Sequence, residues 1–155
     1  MFKTKSSREI TYNGKIFTHN IKRINEKFET INNIDKLFEL LLDIWCKETA
    51  YPGCQNDYIH EEDPTYGQCA ITAALVYDIF GGTIHKIRVD SGETHYFNKI
   101  DGHYIDLTRD QFDLYDISLE YEPNEEIPRE FCGKNADTLK RYNLLIELLN
   151  KSINK

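Results

Sequence analysis

The sequence predicts an α+β fold in which a central buried helix packs on a small antiparallel sheet. Three observations carry that prediction. Residues 34–47 show helical apolar spacing, residues 69–80 are apolar almost all round, and three short β-prone segments separated by tight turns follow between 83 and 108. Helices, then strands, then a closing helix is the order of segregated α and β layers rather than of alternating βαβ units. At 155 residues the chain reads as a single domain, residues 1–155, long enough to bury a core.

The elements follow in order. Asn13-Gly14 lies between short β-prone runs. Asn-Gly suits a type I′ turn, so residues 1–20 are expected to form an N-terminal hairpin decoration. Ile21 to Phe28 reads as a short helix. Asn33 is placed to cap the next helix, along which Ile34, Leu37, Phe38, Leu41, Leu42 and Trp45 recur at helical spacing to about Lys47. Cys46, beside that stripe, reads as packing. Tyr51 to Thr65 carries Pro52, Gly53, Asn56, Asp57, Asp63 and Pro64 and reads as a loop, of a length that is often functional in a small domain.

From Gln68 to Phe80 only Gln68, Thr72 and Asp78 are clearly polar, and a helix apolar all round is a buried one. Gly81-Gly82 ends it, and Cys69 falls in its first turn. Strands are expected over 83–90, 94–100 and 103–108, joined by turns at Ser91-Gly92 and Asp101-Gly102. Asp113 to Pro128 is acidic and irregular, with room for one short strand. Asn135 to Asn150 closes the chain as a helix bearing Leu139, Tyr142, Leu145, Ile146 and Leu149 on one side.

Composition narrows the function classes. A formal net charge of −7 argues against a nucleic-acid partner, since phosphate binding needs a basic surface. The acidity gathers at Asp113, Asp116, Glu120, Glu122, Glu125, Glu126 and Glu130 and reads as a solvated loop. No run approaches the roughly 18 apolar residues of a membrane helix, and Phe2 to Ser7 lacks the apolar run of a signal peptide. A cytoplasmic protein with no membrane partner is the expectation. The four cysteines, Cys46, Cys54, Cys69 and Cys132, form no CxxC pair and are expected as free thiols. Cys54, His60, Cys69 and His95 match no strong zinc spacing, so neither metal nor cofactor is expected.

The chemistry converges on three residues. A thiolate is the nucleophilic form of cysteine, and the amino end of a helix, where Cys69 is expected, offers partial positive charge and free N–H groups that suit an oxyanion. Gly67 lets another backbone come close. If Asp101-Gly102 forms a two-residue hairpin loop, Ile100 pairs with His103, Lys99 with Tyr104, Asn98 with Ile105 and Phe97 with Asp106. His95 and Asp106 then share a face as diagonal neighbours about 7–8 Å apart at the backbone, within reach for a carboxylate that orients an imidazole. The same register turns His103 away and leaves His85 without a matching acid. Taken singly, each residue has a structural reading: a packed thiol, a strand histidine, and an aspartate that ends a strand and caps the turn around Thr108.

These residues carry a resemblance. Gly67-Gln68-Cys69-Ala70-Ile71-Thr72-Ala73, Phe80-Gly81-Gly82, His95-Tyr96-Phe97-Asn98, Ile105-Asp106-Leu107-Thr108 and Gln111-Phe112 resemble the YunG-like family of uncharacterised bacterial proteins, over about Leu37 to Phe112. More distantly, a helix Cys followed by a strand His and an Asp on the next strand is similar to the transglutaminase-like and NlpC/P60-like enzymes of the papain-like group. That resemblance implies Cys69 as nucleophile, His95 as general base and Asp106 as its orienting residue. It also implies a side chain completing the oxyanion hole. Papain-like proteases carry a Gln several residues before the Cys, where this chain has Asp63. Gln68, Tyr66, Gln55 and Asn98 are the candidates for that role or for substrate contact.

The function so implied is a cysteine-dependent hydrolase or acyltransferase acting on an amide or ester of a small molecule, peptide or protein. The alternative is a non-catalytic ligand- or protein-binding domain that keeps the fold. The oligomeric state is left open.

Overall fold

In the computed structural model, which describes residues 1–154, the chain opens with two short antiparallel strands, β1 (Phe2–Lys3) and β2 (Glu9–Ile10). A hairpin therefore does form within residues 1–20, but Thr4 to Arg8 makes its turn. Asn13-Gly14 turns no hairpin. Asn13 instead exchanges two backbone hydrogen bonds with Asp106, at 3.2 and 3.1 Å, and donates its side-chain amide to the Tyr104 carbonyl at 3.0 Å. A long-range edge partner has outweighed local turn chemistry. Gly14 takes φ 89°, and a Cβ there would lie 2.4 Å from the Tyr104 carbonyl oxygen.

The helix expected over Ile21 to Phe28 is absent, and only a 3₁₀ turn, Glu26–Phe28, forms. This segment works as a cap. The amides of Ile24 and Asn25 both donate to the Ile79 carbonyl, and the Asn25 side chain donates to that of Asp78. They satisfy carbonyls that a helix end leaves without intrahelical partners.

Helix α1 (Ile34–Ile44) starts where Asn33 accepts from the Lys36 amide at 2.8 Å. It stops short of Lys47, because Trp45 leaves the helical conformation and residues 47–49 form a 3₁₀ turn. Its expected stripe, from Ile34 to Leu42, is buried throughout. The segment after it is compact rather than open, with a 3₁₀ turn at Pro52–Asp57. Helix α2 (Cys69–Phe80) begins at the cysteine and ends at Gly81, φ 83°.

Strands β3 (Thr83–Arg88), β4 (Thr94–Ile100) and β5 (His103–Ile105) follow, then α3 (Asp110–Asp113), β6 (Glu125–Ile127), α4 (Arg129–Gly133) and α5 (Ala136–Ile153). The sheet order is β5-β4-β3-β6, antiparallel throughout. Asp101 and Gly102 both have positive φ, 52° and 84°, as a type I′ turn requires. That turn sets Ile100 opposite His103, Lys99 opposite Tyr104 and Asn98 opposite Ile105.

This register divides the sheet. Ile84, Ile100, Ile105 and Ile127 join α2 residues in two core clusters, the larger of which also takes in α1, with Phe38, Leu41 and the following Trp45, and Leu145 and Leu149 of α5. Phe97 and Ile87 lie on the other face with Phe112 and Leu119. Among the described residues no helix is long and apolar enough to cross a membrane.

Two glycines with positive φ separate backbone strain from crowding. At Gly102 (φ 84°) nothing lies within 4 Å of an added Cβ, whereas at Gly82 (φ 77°) the Lys99 carbonyl oxygen lies at 2.4 Å. Gly102→Ala should therefore cost about 1–2 kcal/mol, the left-handed penalty alone. Gly82→Ala should cost about 1–3 kcal/mol more, because backbone must move. Urea denaturation of the two variants reads the difference, and equal losses would contradict it.

Candidate active site

Asp106 follows β5, where the strand ends because its side chain turns the chain. Its Oδ1 accepts from the Thr108 amide at 3.1 Å and the Thr108 hydroxyl at 3.3 Å. Its Oδ2 accepts from His95 Nε2 at 2.7 Å and from the Tyr121 hydroxyl at 2.8 Å. The strand-ending role and the histidine-holding role thus coexist, one on each oxygen. The strand expected to reach residue 108 is shortened to Ile105 for this reason. Tyr121 is held in turn by Arg109, whose Nη1 donates to the phenol oxygen at 3.2 Å. Burial and the neighbouring carboxylate push the Tyr121 hydroxyl's pKa up, so it stays a donor.

His95 lies near the start of β4 and is 1% exposed, as is Asp106. Phe112 packs edge-on against its ring at 4.7 Å between centroids, and Phe97 stacks on it at 6.1 Å. Burial alone would lower the imidazole's pKa. The Asp106 charge and hydrogen bond, with a further contribution from Cys69, outweigh burial and raise it from 6.5 to about 10. With Nε2 engaged by Asp106, the remaining nitrogen, Nδ1, is buried and has no hydrogen-bond partner of ordinary geometry. It is the nitrogen available to the Cys69 thiol.

Cys69 and His95 line one cavity of about 410 Å³ with Tyr51, Cys54, Tyr66, Gly67, Glu93, Gln111 and Phe112 among its other walls. Cys69 is the first residue of α2, and Gln68 before it makes no side-chain capping bond, so the helix's first amides have no side-chain cap. Gly67 holds φ 74°, and a Cβ there would come within 2.9 Å of the Cys54 Cβ and 3.1 Å of the Tyr51 amide nitrogen. The close approach expected of Gly67 is the one it makes.

The four secondary candidates divide. Tyr66 lines the cavity. Gln68 does not: it is fully buried, its Oε1 accepting from the Thr49 hydroxyl at 2.8 Å and its Nε2 donating to the Cys46 carbonyl at 2.9 Å. Gln55 is turned to the Ala50 carbonyl at 3.0 Å. Asn98 lies on the opposite face of β4 from His95 and donates to the Ala73 carbonyl of α2 at 2.9 Å, as the alternation of a strand requires. Asp63 is also absent from the cavity wall. It is buried with Oδ1 unpartnered, and burial together with the Asp110 charge raises its carboxyl to about 6.

His19 is exposed on the surface, and the remaining three histidines are engaged elsewhere. His85 sits between Thr83 Oγ1 and Asn124 Oδ1, His103 stacks on Phe17, and His60 contacts the Leu42 carbonyl. All four cysteines are free thiols, with burial raising Cys132 to about 11 and Cys54 in the same direction. Among the described residues no group of three or more His, Cys, Asp or Glu is placed to hold a metal ion.

Sequence reasoning did not single out Tyr121, Gln111, Asn13 or Arg141 as parts of this site. The cap that Asp106 places on the turn around Thr108 is the one its structural reading expected. Gln111, whose Oε1 accepts from the Gly67 amide at 3.4 Å while its Nε2 donates to the Thr108 carbonyl at 3.0 Å, stood in a quoted motif. Tyr121 and Arg141 carry no local signal.

The family described as YunG protein matches residues 33–154. Over 94 residues the chain is 50% identical to "Uncharacterized protein YunG" of Bacillus subtilis (strain 168), a stretch covering 61% of this chain and 76% of that protein. No solved structure matches the chain.

Two carboxylates give opposite signatures. A histidine whose pKa is raised by folding stabilises fully below its unfolded value of 6.5, and that contribution is lost as pH climbs through about 10. Asp106→Asn should therefore cost about 3–5 kcal/mol at neutral pH, as for any broken buried pair, and less as pH rises through that window. A carboxyl raised from 3.8 to about 6 favours the folded state fully below 3.8 and loses that advantage as pH rises through 6. Asp63→Asn should thus raise the denaturation midpoint at pH 7, with the gain fading as pH falls through 6. A pH series of urea midpoints for both variants checks each sign.

Proposed function

The chain belongs to the YunG protein family, and on that premise we propose that it is a cysteine-dependent hydrolase or acyltransferase that works on an amide or ester through Cys69, His95 and Asp106. One observation carries the reading: a buried imidazole with one nitrogen fixed by a buried carboxylate and the other unpartnered, in the same cavity as a thiol at a helix start. A histidine serving only packing has no need of a second polar atom left bare, since burying one costs about 1–3 kcal/mol.

In this reading the Cys69 sulfur attacks the carbonyl carbon as a thiolate, its proton already held on His95 Nδ1 in the imidazolium. The oxyanion faces the first-turn amides of α2, while the Tyr66 hydroxyl is donated to Asp57. The imidazolium then gives its proton to the departing amine or alcohol, and a thioester remains on Cys69. Water or an amine attacks that thioester, loses a proton to Nδ1, and the thiol is regenerated as the acid or new amide leaves. Asp106 holds the ring and its positive charge throughout. The order of a helix Cys, a strand His and an Asp after the next strand is similar to papain-like and transglutaminase-like enzymes, and supports a distant kinship with them. The substrate is a small molecule or a peptide that fits a cavity of about 410 Å³, and the acidic chain disfavours nucleic acid.

Iodoacetamide should label Cys69 ahead of Cys46, Cys54 and Cys132 near pH 7. His95→Ala should slow that labelling far more at pH 7 than at pH 10, and Asp106→Ala should act in the same direction with a smaller effect. Labelling of Cys54 or Cys132 first, or indifference to His95→Ala, would replace this reading with that of a binding domain.

A further inference from the structure

A second cavity adjoins the first. It encloses about 340 Å³ and shares Tyr51, Ala70, Tyr96 and Arg141 with the cavity that holds Cys69. Ala70 follows the thiol directly, so the two hollows form one cleft that runs past the start of α2. Their charges differ. Lys134 and Arg141 line the second hollow and no acidic residue does, whereas Glu93 lines the first. In a chain of net charge −7, a hollow with cationic walls alone stands apart from its surroundings.

Arg141 is the stronger of the two cations. It is 4% exposed, which an arginine rarely is without partners. Its Nε donates to Asp137 at 2.9 Å and Nη1 to the Thr49 carbonyl at 3.1 Å, while Nη2 reaches the Thr138 hydroxyl only at 3.5 Å. A guanidinium carries five N–H donors, so two remain after these contacts. Asp137, its one carboxylate partner, is half exposed and the Thr49 carbonyl is buried, so Arg141 is anchored from both sides and lines both hollows with two N–H groups to spare. Lys134 is exposed at the rim.

Building on the thiol reading above, we infer that this second hollow binds a carboxylate of the substrate, held by Arg141 from within and Lys134 at the rim, while the scissile carbonyl lies at Cys69. The substrate class is an amide or ester bearing a carboxylate on the far side of Ala70 from the thiol. The two N–H groups that Arg141 has left suit a carboxylate, as charge-assisted donors, and the aromatic walls shared by the two hollows, Tyr51 and Tyr96, suit the apolar span between the two polar ends. Arg141 acts as a binding residue with no part in the chemical step.

The test uses the full chain carrying Cys69→Ala, so that binding is read without the thiol. Amide NMR shifts are followed against glutarate, its neutral isostere glutaramide, and inorganic phosphate. Glutarate should give saturable shifts around Ala70 and Thr138 in the millimolar range, and glutaramide none. Lys134→Glu, a rim change that leaves the core intact, should weaken glutarate at least about tenfold, and Lys134→Arg should restore it. Arg141→Gln should abolish it in protein whose urea midpoint shows it folded. Equal binding of glutaramide, a preference for phosphate over glutarate, or indifference to Lys134→Glu would each overturn the carboxylate assignment. Glutarate binding alongside an unreactive Cys69 in the wild-type chain would instead sink the thiol reading and leave the carboxylate site standing.

Discussion

The Asp106 carboxylate is the constraint on which the rest of the site depends. Removing an ion from water costs several kcal/mol unless its lone pairs are answered. Here four donors answer them, two on each oxygen. The donors come from different parts of the chain: β4, the turn that Asp106 itself begins, and the segment before β6. Satisfying one buried charge therefore fixes where β5 ends, how the His95 ring is oriented, and how the acidic stretch after α3 is drawn back over the sheet through Tyr121.

The thiol is positioned by a different means. α2 packs on the Asn98 face of the sheet, and His95 belongs to the other face. Cys69 and His95 share a cavity because each lies at the beginning of its element. What fixes the start of α2 is a buried polar network. Gln68 bridges Thr49 and the Cys46 carbonyl, and the Trp45 indole donates to Thr72 at 3.0 Å. Polar groups this deeply buried tolerate little displacement once satisfied. Gln68, a candidate for substrate contact on the sequence alone, instead holds the backbone that leads into Cys69.

Much of this was legible because it rests on local rules. The Asp101-Gly102 turn dictated the register of β4 and β5 through backbone φ alone, and with it the shared face of His95 and Asp106. The apolar run ended by Gly81-Gly82 placed the start of α2 at Cys69. The same register excluded Asn98 from the His95 face, a consequence that alternation along the strand already contained. What stayed illegible depends on partners distant in sequence. Asn13-Gly14 has the composition of a hairpin turn, but Asn13 pairs with Asp106, and no local pattern announces an edge 93 residues away. Tyr121 reaches Asp106 from a stretch whose acidity masks the packing of Leu119 and Tyr121 with Phe97, and Arg141 lies on the buried face of its helix, in line with Leu145 and Leu149, while Leu139 of the expected stripe is exposed.

The pairing of Asn13 with Asp106 has a further consequence. The family match begins at residue 33, yet the backbone of Asp106 is closed off by a residue twenty positions earlier, and Ile24 and Asn25 seal the far end of α2. The leading segment is thus an added rung on the sheet's edge, tied down by Ile10, Tyr12 and Ile21 in the core and laid against the residue that bonds His95. Whatever lifts that rung, whether a competing strand from another molecule or a cut in the chain, unpairs the Asp106 amide and carbonyl, which Asn13 alone bonds here. The edge of the sheet is a place from which the backbone beneath the His95–Asp106 pair can be loosened without contact with either side chain, and the exchange rate of the Asp106 amide proton is its natural gauge.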